Sequence, residues 1–280
     1  MSALSKTLVV IPMVTLSALP FLANADSSYT GIHPAQNSVL QLGAGAFFSN
    51  TDNSARFDSV GDGSTEVDLG KLGMDTDNTV PFGFLRWRFT DRWRLEGNYF
   101  STDSDGSSQI TRDIEWGGAI YKLGANVKIS NDTKLARAAV GYSFLKNDQA
   151  ELGAGIGLHY LDWETKLSGN ATINGNPVIS HTEPASVDGF APNLAFFGNY
   201  AFNKQWLLTG RFDWISADVN NFSGSLKRFW AGIMYQPFKN VGFGLGYDYI
   251  DFNVDYKKND KKTSINGNVH GPQLFVTLNF

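Results

Sequence analysis

The chain has 280 residues, a formal net charge of −4, no cysteine, 29 glycines and 9 prolines, and 14% of it is aromatic. The mildly acidic balance argues against nucleic acid as a partner, and the missing cysteines exclude disulfides and a lipoprotein anchor. No segment beyond residue 25 approaches 18 consecutive apolar residues, so spanning helices are excluded. A slightly negative mean hydropathy suits a soluble protein or a transmembrane barrel, in which half of each strand faces a polar interior.

Met1 to Ala25 reads as a secretory signal peptide. Lys6 gives a thin positive start, Thr7 to Leu22 is mostly apolar, and Ala23-Asn24-Ala25 matches a small-x-small cleavage site before Asp26. The apolar run is short and broken by Pro12 and Pro20, against a retained span. About 255 residues (26–280) remain, enough for one large β domain. Asp26 to Asn37 is a polar lead-in.

From Val39 the chain alternates, with Leu40, Leu42, Ala44, Ala46 and Phe48 on one face and Gln41, Gly43, Gly45 and Ser49 on the other. Thr51 to Asn78 is polar and acidic and reads as a loop, with strand character near Val67 and Leu69. In the next hairpin Pro81, Leu85, Trp87 and Phe89 lie opposite Arg86 and Arg88. After the turn at Asp91-Arg92, Trp93, Leu95, Gly97 and Tyr99 lie opposite Arg94, Glu96 and Asn98. Phe100 to Lys134 is open to two readings. One long strand runs to about Glu115, turns near Gly117 to Gly124 and returns through Val127, which makes ten strands in all. Alternatively Gly117-Gly118 is a short inner turn, which makes twelve. Ten is preferred, with eight and twelve as alternatives, because Gly117-Gly118 lacks the aromatics that flank the other short turns, Trp116 apart.

The hairpin unit recurs around Lys146 to Asp148, Asn203-Lys204 and Lys239-Asn240. In it Ala138, Val140, Tyr142 and Phe144 oppose Arg137, Gly141 and Ser143, and Leu152 to Tyr160 oppose Gly153, Gly155, Gly157 and His159. The last ten residues, GPQLFVTLNF, put Pro272, Leu274, Val276, Leu278 and Phe280 on one face and Gln273, Thr277 and Asn279 on the other, with Phe275 as the apolar exception. Short turns therefore alternate with longer polar connections: Thr51 to Asn78, Ser168 to Gly189, Val219 to Gly224 and Lys257 to Thr263. Trp87, Phe89, Trp93, Tyr142, Phe144, Tyr200, Phe202, Trp206, Tyr235 and Phe280 gather beside the short turns or the C-terminus. Tyr99, Tyr160, Trp214 and Tyr249 gather near the other ends. Two aromatic girdles and segregated loop lengths describe an antiparallel up-and-down transmembrane β-barrel. Common strand aromatics in a soluble sheet explain the composition but not the clustering.

On the signal end at Ala23-Asn24-Ala25, the hairpin repeats and the closing strand Leu274 to Phe280, the chain resembles the small outer-membrane barrels of Gram-negative bacteria, the OmpA-like and OmpW-like group. The resemblance covers essentially the whole mature chain. It implies residence in the outer membrane and contact with its lipid and lipopolysaccharide. It also implies assembly by the barrel-assembly machinery with Phe280 as part of the signal, a monomeric barrel, and no cofactor.

Barrel enzymes are the competing class. Omptin-like proteases use Asp and His near the outer rim. Here Asp162, Asp218 and Asp251 lie there, but the four histidines are His33, His159, His181 and His270, and Asp213-Trp214 has no His two residues on. Outer-membrane phospholipases and lipid A deacylases need Ser beside His on lipid-facing positions, whereas His159 points inward with no Ser two residues away. No catalytic or metal-ligating set is assigned. Asp75 to Asn78 and Asp103 to Gly106 lack the later Glu of an EF-hand and read as turns. Lys257, Lys258, Lys261 and Lys262 form a basic outer loop, a candidate for lipopolysaccharide phosphates or simply solvated. The inward positions gather Arg86, Arg88, Arg94, Arg137, Arg211 and Arg228 against Glu96, Glu151, Asp213 and Asp248. In a slim lumen these are expected to pair, because unpaired buried charge is costly. That makes a plugging network, weighted above a narrow channel. The inward glycines Gly153, Gly155, Gly157, Gly242, Gly244 and Gly246 are expected to leave space beside one wall.

Overall fold

The computed structural model describes residues 32–59, 64–219, 222–258 and 261–280, so the signal segment lies outside the described residues. It comprises a short helix α1 (Pro34–Asn37) and strands β1 (Leu40–Ser59), β2 (Val67–Asp68), β3 (Asp77–Arg88), β4 (Trp93–Gln109), β5 (Ile114–Trp116), β6 (Ala119–Tyr121), β7 (Asn126–Lys146), β8 (Ala150–Ile173), β9 (Asn176–Ala201), β10 (Trp206–Val219), β11 (Phe222–Tyr235), β12 (Val241–Lys258) and β13 (Lys261–Asn279). Ten of these form a closed antiparallel ring in the order β1-β3-β4-β7-β8-β9-β10-β11-β12-β13, with β13 pairing back to β1. A closed ring leaves no unpaired edge, which is what allows strands to stand in lipid. The seam is fixed to the last residue, because Leu40 and Phe280 exchange backbone hydrogen bonds at 3.0 and 2.8 Å.

α1, the start of β1, the C-terminus and the short turns share one rim, which is the periplasmic one in barrels of this kind. From there the expected faces hold. Leu85, Trp87, Trp93, Ile156, Leu158, Leu274 and Val276 are exposed on the outer wall, and Arg86, Arg94, Arg137 and Asp213 are buried inside. Aromatics mark the inner border, with Trp93 on Tyr142 at 5.0 Å and Trp206 on Tyr235 at 4.7 Å. Others mark the outer border, with Tyr160 on Phe190 at 4.8 Å and Tyr249 on His270 at 6.1 Å.

The strands do not stop at the outer girdle. β8 and β9 have 24 and 26 residues, against about 9–11 for a membrane crossing. Past Tyr160 the alternation inverts. Asp162, Glu164 and Lys166 point outward, while Trp163, Thr165 and Leu167 are buried inside. Facing them on β7, Val127, Ile129 and Leu135 are buried. The connections expected at Ser168 to Gly189, Val219 to Gly224 and Lys257 to Thr263 are thus strand for most of their length. β8 turns into β9 at Asn174-Gly175, both with positive φ (49° and 80°), the signature of a two-residue hairpin turn. Asp103 to Gly106, expected to be a turn, lies within β4 and pairs with β7. The reason is solvent: outside lipid a polar outer face is the stable one, so the residues that looked like loop are the wet wall of a projecting barrel.

This outer section has its own apolar core. The β4–β7 connection folds into the β5–β6 hairpin, and the β1–β3 connection into β2 and a 3-10 turn (Gly70–Leu72). Leu69, Leu72, Ile110, Ile114, Trp116 and Tyr121 pack with Phe57, Trp163 and Leu167. Trp116 Nε1 donates to Glu183 O at 3.2 Å, and Tyr121 Oη donates to Leu167 O at 3.0 Å. At the periplasmic mouth the lead-in is not simply polar chain. α1 sits in the lumen, with His33, Ala35 and Gln36 buried. His33 Nδ1 accepts from Ala35 N at 3.1 Å and Gln36 Oε1 accepts from His33 N at 3.3 Å, a capping-box arrangement. Gln36 Nε2 donates to Gln149 O at 3.0 Å, and Arg86 donates to Ala35 O.

The inward glycines do not leave space. A Cβ on Gly244 would stand 2.1 Å from the Phe275 ring, and one on Gly153 would stand 2.0 Å from the Phe197 ring. Rings from neighbouring strands lie flat over these positions, and glycine is what admits them. Gly244→Ala is therefore predicted to lower unfolding stability in detergent by about 1–3 kcal/mol through overpacking. Adding Phe275→Leu should recover part of the loss, and strictly additive losses in the double variant would show that the ring contact is unimportant.

Candidate functional site: a charge network in the barrel lumen

Seven strands present their charges to the lumen, because each of these residues occupies an inward position of its strand. Arg88 on β3 meets Glu151 on β8 at 2.9 Å. Arg94 on β4 meets Glu96 at 2.7 Å and lies 3.6 Å from Glu151. Arg137 on β7 bridges Glu96 at 3.3 Å and Asp213 on β10 at 2.8 Å, and Arg211 closes on Asp213 at 2.8 Å. The result is a continuous chain from Arg88 to Arg211. Arg228 on β11 forms a separate two-point pair with Asp248 on β12 at 2.9 and 2.5 Å. Of the ten charged residues singled out in the sequence, Arg86 alone has no carboxylate partner among the described residues; its hydrogen bond goes to the Ala35 carbonyl of α1.

Neutral inward groups, which the sequence does not tie to particular carboxylates, complete the network. Asn193 donates to Asp213 at 2.9 Å, Asn199 to Glu151 at 3.1 Å and Gln273 to Asp248 at 3.0 Å, while Ser143 also donates to Glu151. Trp230 Nε1 fixes Gln273 at 2.8 Å. The Arg94 guanidinium lies 3.2 Å from the centre of the Phe197 ring. Their inward register was readable; which inward amide meets which carboxylate depends on cross-strand stagger, which no single strand reveals.

The histidines do not assemble a catalytic set. His33 caps α1. His159 is buried with neither ring nitrogen hydrogen-bonded. His181 pairs with Glu183 at 3.2 Å and His270 meets Tyr247 Oη at 3.0 Å. At the outer rim Lys261 pairs with Glu183 at 2.6 Å and Lys262 with Asp255 at 3.1 Å, so part of the basic loop is neutralised within the chain. Phe280, the expected assembly signal, is on the outer wall at the seam.

No protein-family model matches this sequence, and no curated protein matches it. Among solved structures it is similar to the outer-membrane protease OmpT of Escherichia coli. The TM-score is 0.58 at 10% identity, over 86% of this chain and 96% of that one. Weaker likenesses reach the Pseudomonas putida toluene transporter TodX (TM-score 0.34, 12% identity, 91% and 95% covered) and Neisserial surface protein A (0.27, 15%, 87% and 98%). The fold is thus that of a Gram-negative outer-membrane β-barrel, and the apolar outer belt seats the chain in that membrane.

Removing one carboxylate from the network strands an arginine in a buried site, at a cost of about 3–5 kcal/mol for a fully buried pair. Asp213→Ala should lower the unfolding free energy in detergent by most of that amount. Glu96→Ala should cost less, since its side chain keeps 16% exposure against none for Asp213. Equal stability of both variants and the parent would show that water already solvates these charges.

Proposed function

We propose that this chain is a non-enzymatic outer-membrane barrel that serves the envelope as a sealed, surface-projecting structural element. The observation that carries this reading is double closure. The ion-pair chain and α1 occupy the inner part of the lumen, and an apolar core of loop and wall residues occupies the outer part. A barrel enzyme at the outer rim is the competing reading. Against it stands the absence, among the described residues, of a His hydrogen-bonded to Ser or Asp at that rim. A narrow small-solute path is the second reading, favoured by two cavities of about 80 and 70 Å³ at successive levels of the lumen, both bordered by Phe100. Planar-bilayer recording of the refolded protein separates these readings. The sealed barrel is expected to show little conductance, with Asp213→Ala raising it. Large, steady single-channel currents in the wild type would contradict sealing.

We further propose that lipopolysaccharide surrounds the projecting wall, that the barrel is a monomer, and that Phe280 is read by the assembly machinery. Supporting the last is its place at the seam of first and last strands. Deleting Phe280 should reduce the amount inserted in cells several-fold while refolding in detergent is nearly unchanged. Normal cellular levels of the deletion variant would overturn that role.

A further inference from the structure

We propose that the inner lumen chamber is a binding site for one small anion, a halide or a small oxyanion, held by Arg86 and Arg94. This goes beyond the sealed-barrel reading, because the anion neutralises the wall charges whether or not the inner mouth ever opens.

In the lumen six guanidiniums, Arg86, Arg88, Arg94, Arg137, Arg211 and Arg228, face four carboxylates, Glu96, Glu151, Asp213 and Asp248, so 6 − 4 leaves two positive charges in excess. Arginine does not lose its proton inside proteins, so the excess cannot be relieved by titration. Uncompensated buried charge is strongly destabilising. The carboxylates are also used up: Glu96 receives Arg94 and Arg137, and Glu151 receives Arg88, Ser143 and Asn199.

The chamber, about 80 Å³, is lined by four guanidiniums, Arg86, Arg94, Arg211 and Arg228, and by one carboxylate, Glu96, which Arg94 and Arg137 already hold, among amides and apolar rings. Arg86, Arg94 and Arg228 keep 7, 3 and 4% exposure, yet Arg86 Nε, Arg94 Nε and Nη1 and Arg228 Nη1 make no hydrogen bond within the protein. Buried N–H groups of one sign around a small space are what an anion satisfies. The volume limits the ligand to a few heavy atoms, because one water already needs some 10–15 Å³ on the same scale.

The test uses the full mature barrel refolded in detergent. Thermal unfolding is followed while potassium bromide replaces potassium gluconate at constant ionic strength, and crystals grown in bromide are measured for anomalous scattering. The expected result is a saturable upward shift of the midpoint by several degrees, and an anomalous peak between Arg86 and Arg94. Two variants separate the causes. Arg86→Gln removes an unpaired charge and should abolish the bromide-specific shift. Thr209→Leu keeps every charge but fills the chamber that Thr209 lines, and should abolish it too, which keeps the test open if Arg86→Gln does not refold. Replacing bromide with formate distinguishes an oxyanion preference by a tighter saturation point. Bromide peaks at surface lysines alone, or a midpoint shift equal in wild type and Thr209→Leu, would overturn the proposal.

Discussion

Each long strand of this barrel meets two solvents in succession, lipid and then water, and its side chains have to suit both without breaking the pleat. Period-2 geometry permits only one way of doing this: the polar and apolar faces exchange places where the strand leaves the membrane. On β8 the exchange falls at His159 and Tyr160. Below it Ile156 and Leu158 face lipid; above it Asp162, Glu164 and Lys166 face water, and Trp163 and Leu167 turn inward. Lys134 with Asp162 at 2.8 Å and Lys166 with Glu164 at 2.7 Å dress the same outer wall.

The two lumen environments follow from that exchange. In the membrane section polar side chains have only the interior to occupy, so six arginines and four carboxylates converge there and must satisfy one another. In the outer section the apolar residues turn inward instead, and the long connections fold back to give them partners. The aromatic rings lying over inward glycines serve the same end, filling a slim interior without pushing the strands apart.

Much of this was legible in the chain. The faces of β1, β3, β4, β7, β8 and β13, the short turns, the two girdles and the preference for ten strands came from alternation and turn residues, and nine of the ten inward charges meet partners of opposite sign. What stayed hidden has physical reasons. The projecting section resembles loop in the sequence because an inverted pattern of charged outward and scattered apolar inward residues looks polar when membrane alternation is the template. α1 escaped because four residues carry no periodicity, and its capping box is built on His33 rather than Ser or Thr. The glycines suggested open space because the rings that cover them belong to neighbouring strands. Arg86 looked like its neighbours until cross-strand register showed that it meets a carbonyl.

The face exchange along β8 is tested most directly by single-cysteine labelling of the barrel in native outer membranes, possible because the chain has no cysteine of its own. A membrane-impermeant maleimide should label cysteines at Asp162, Glu164 and Lys166 and spare those at Ile156, Leu158 and Leu167. Protection at Glu164 together with labelling at Leu167 would place the outer wall in lipid and contradict the account.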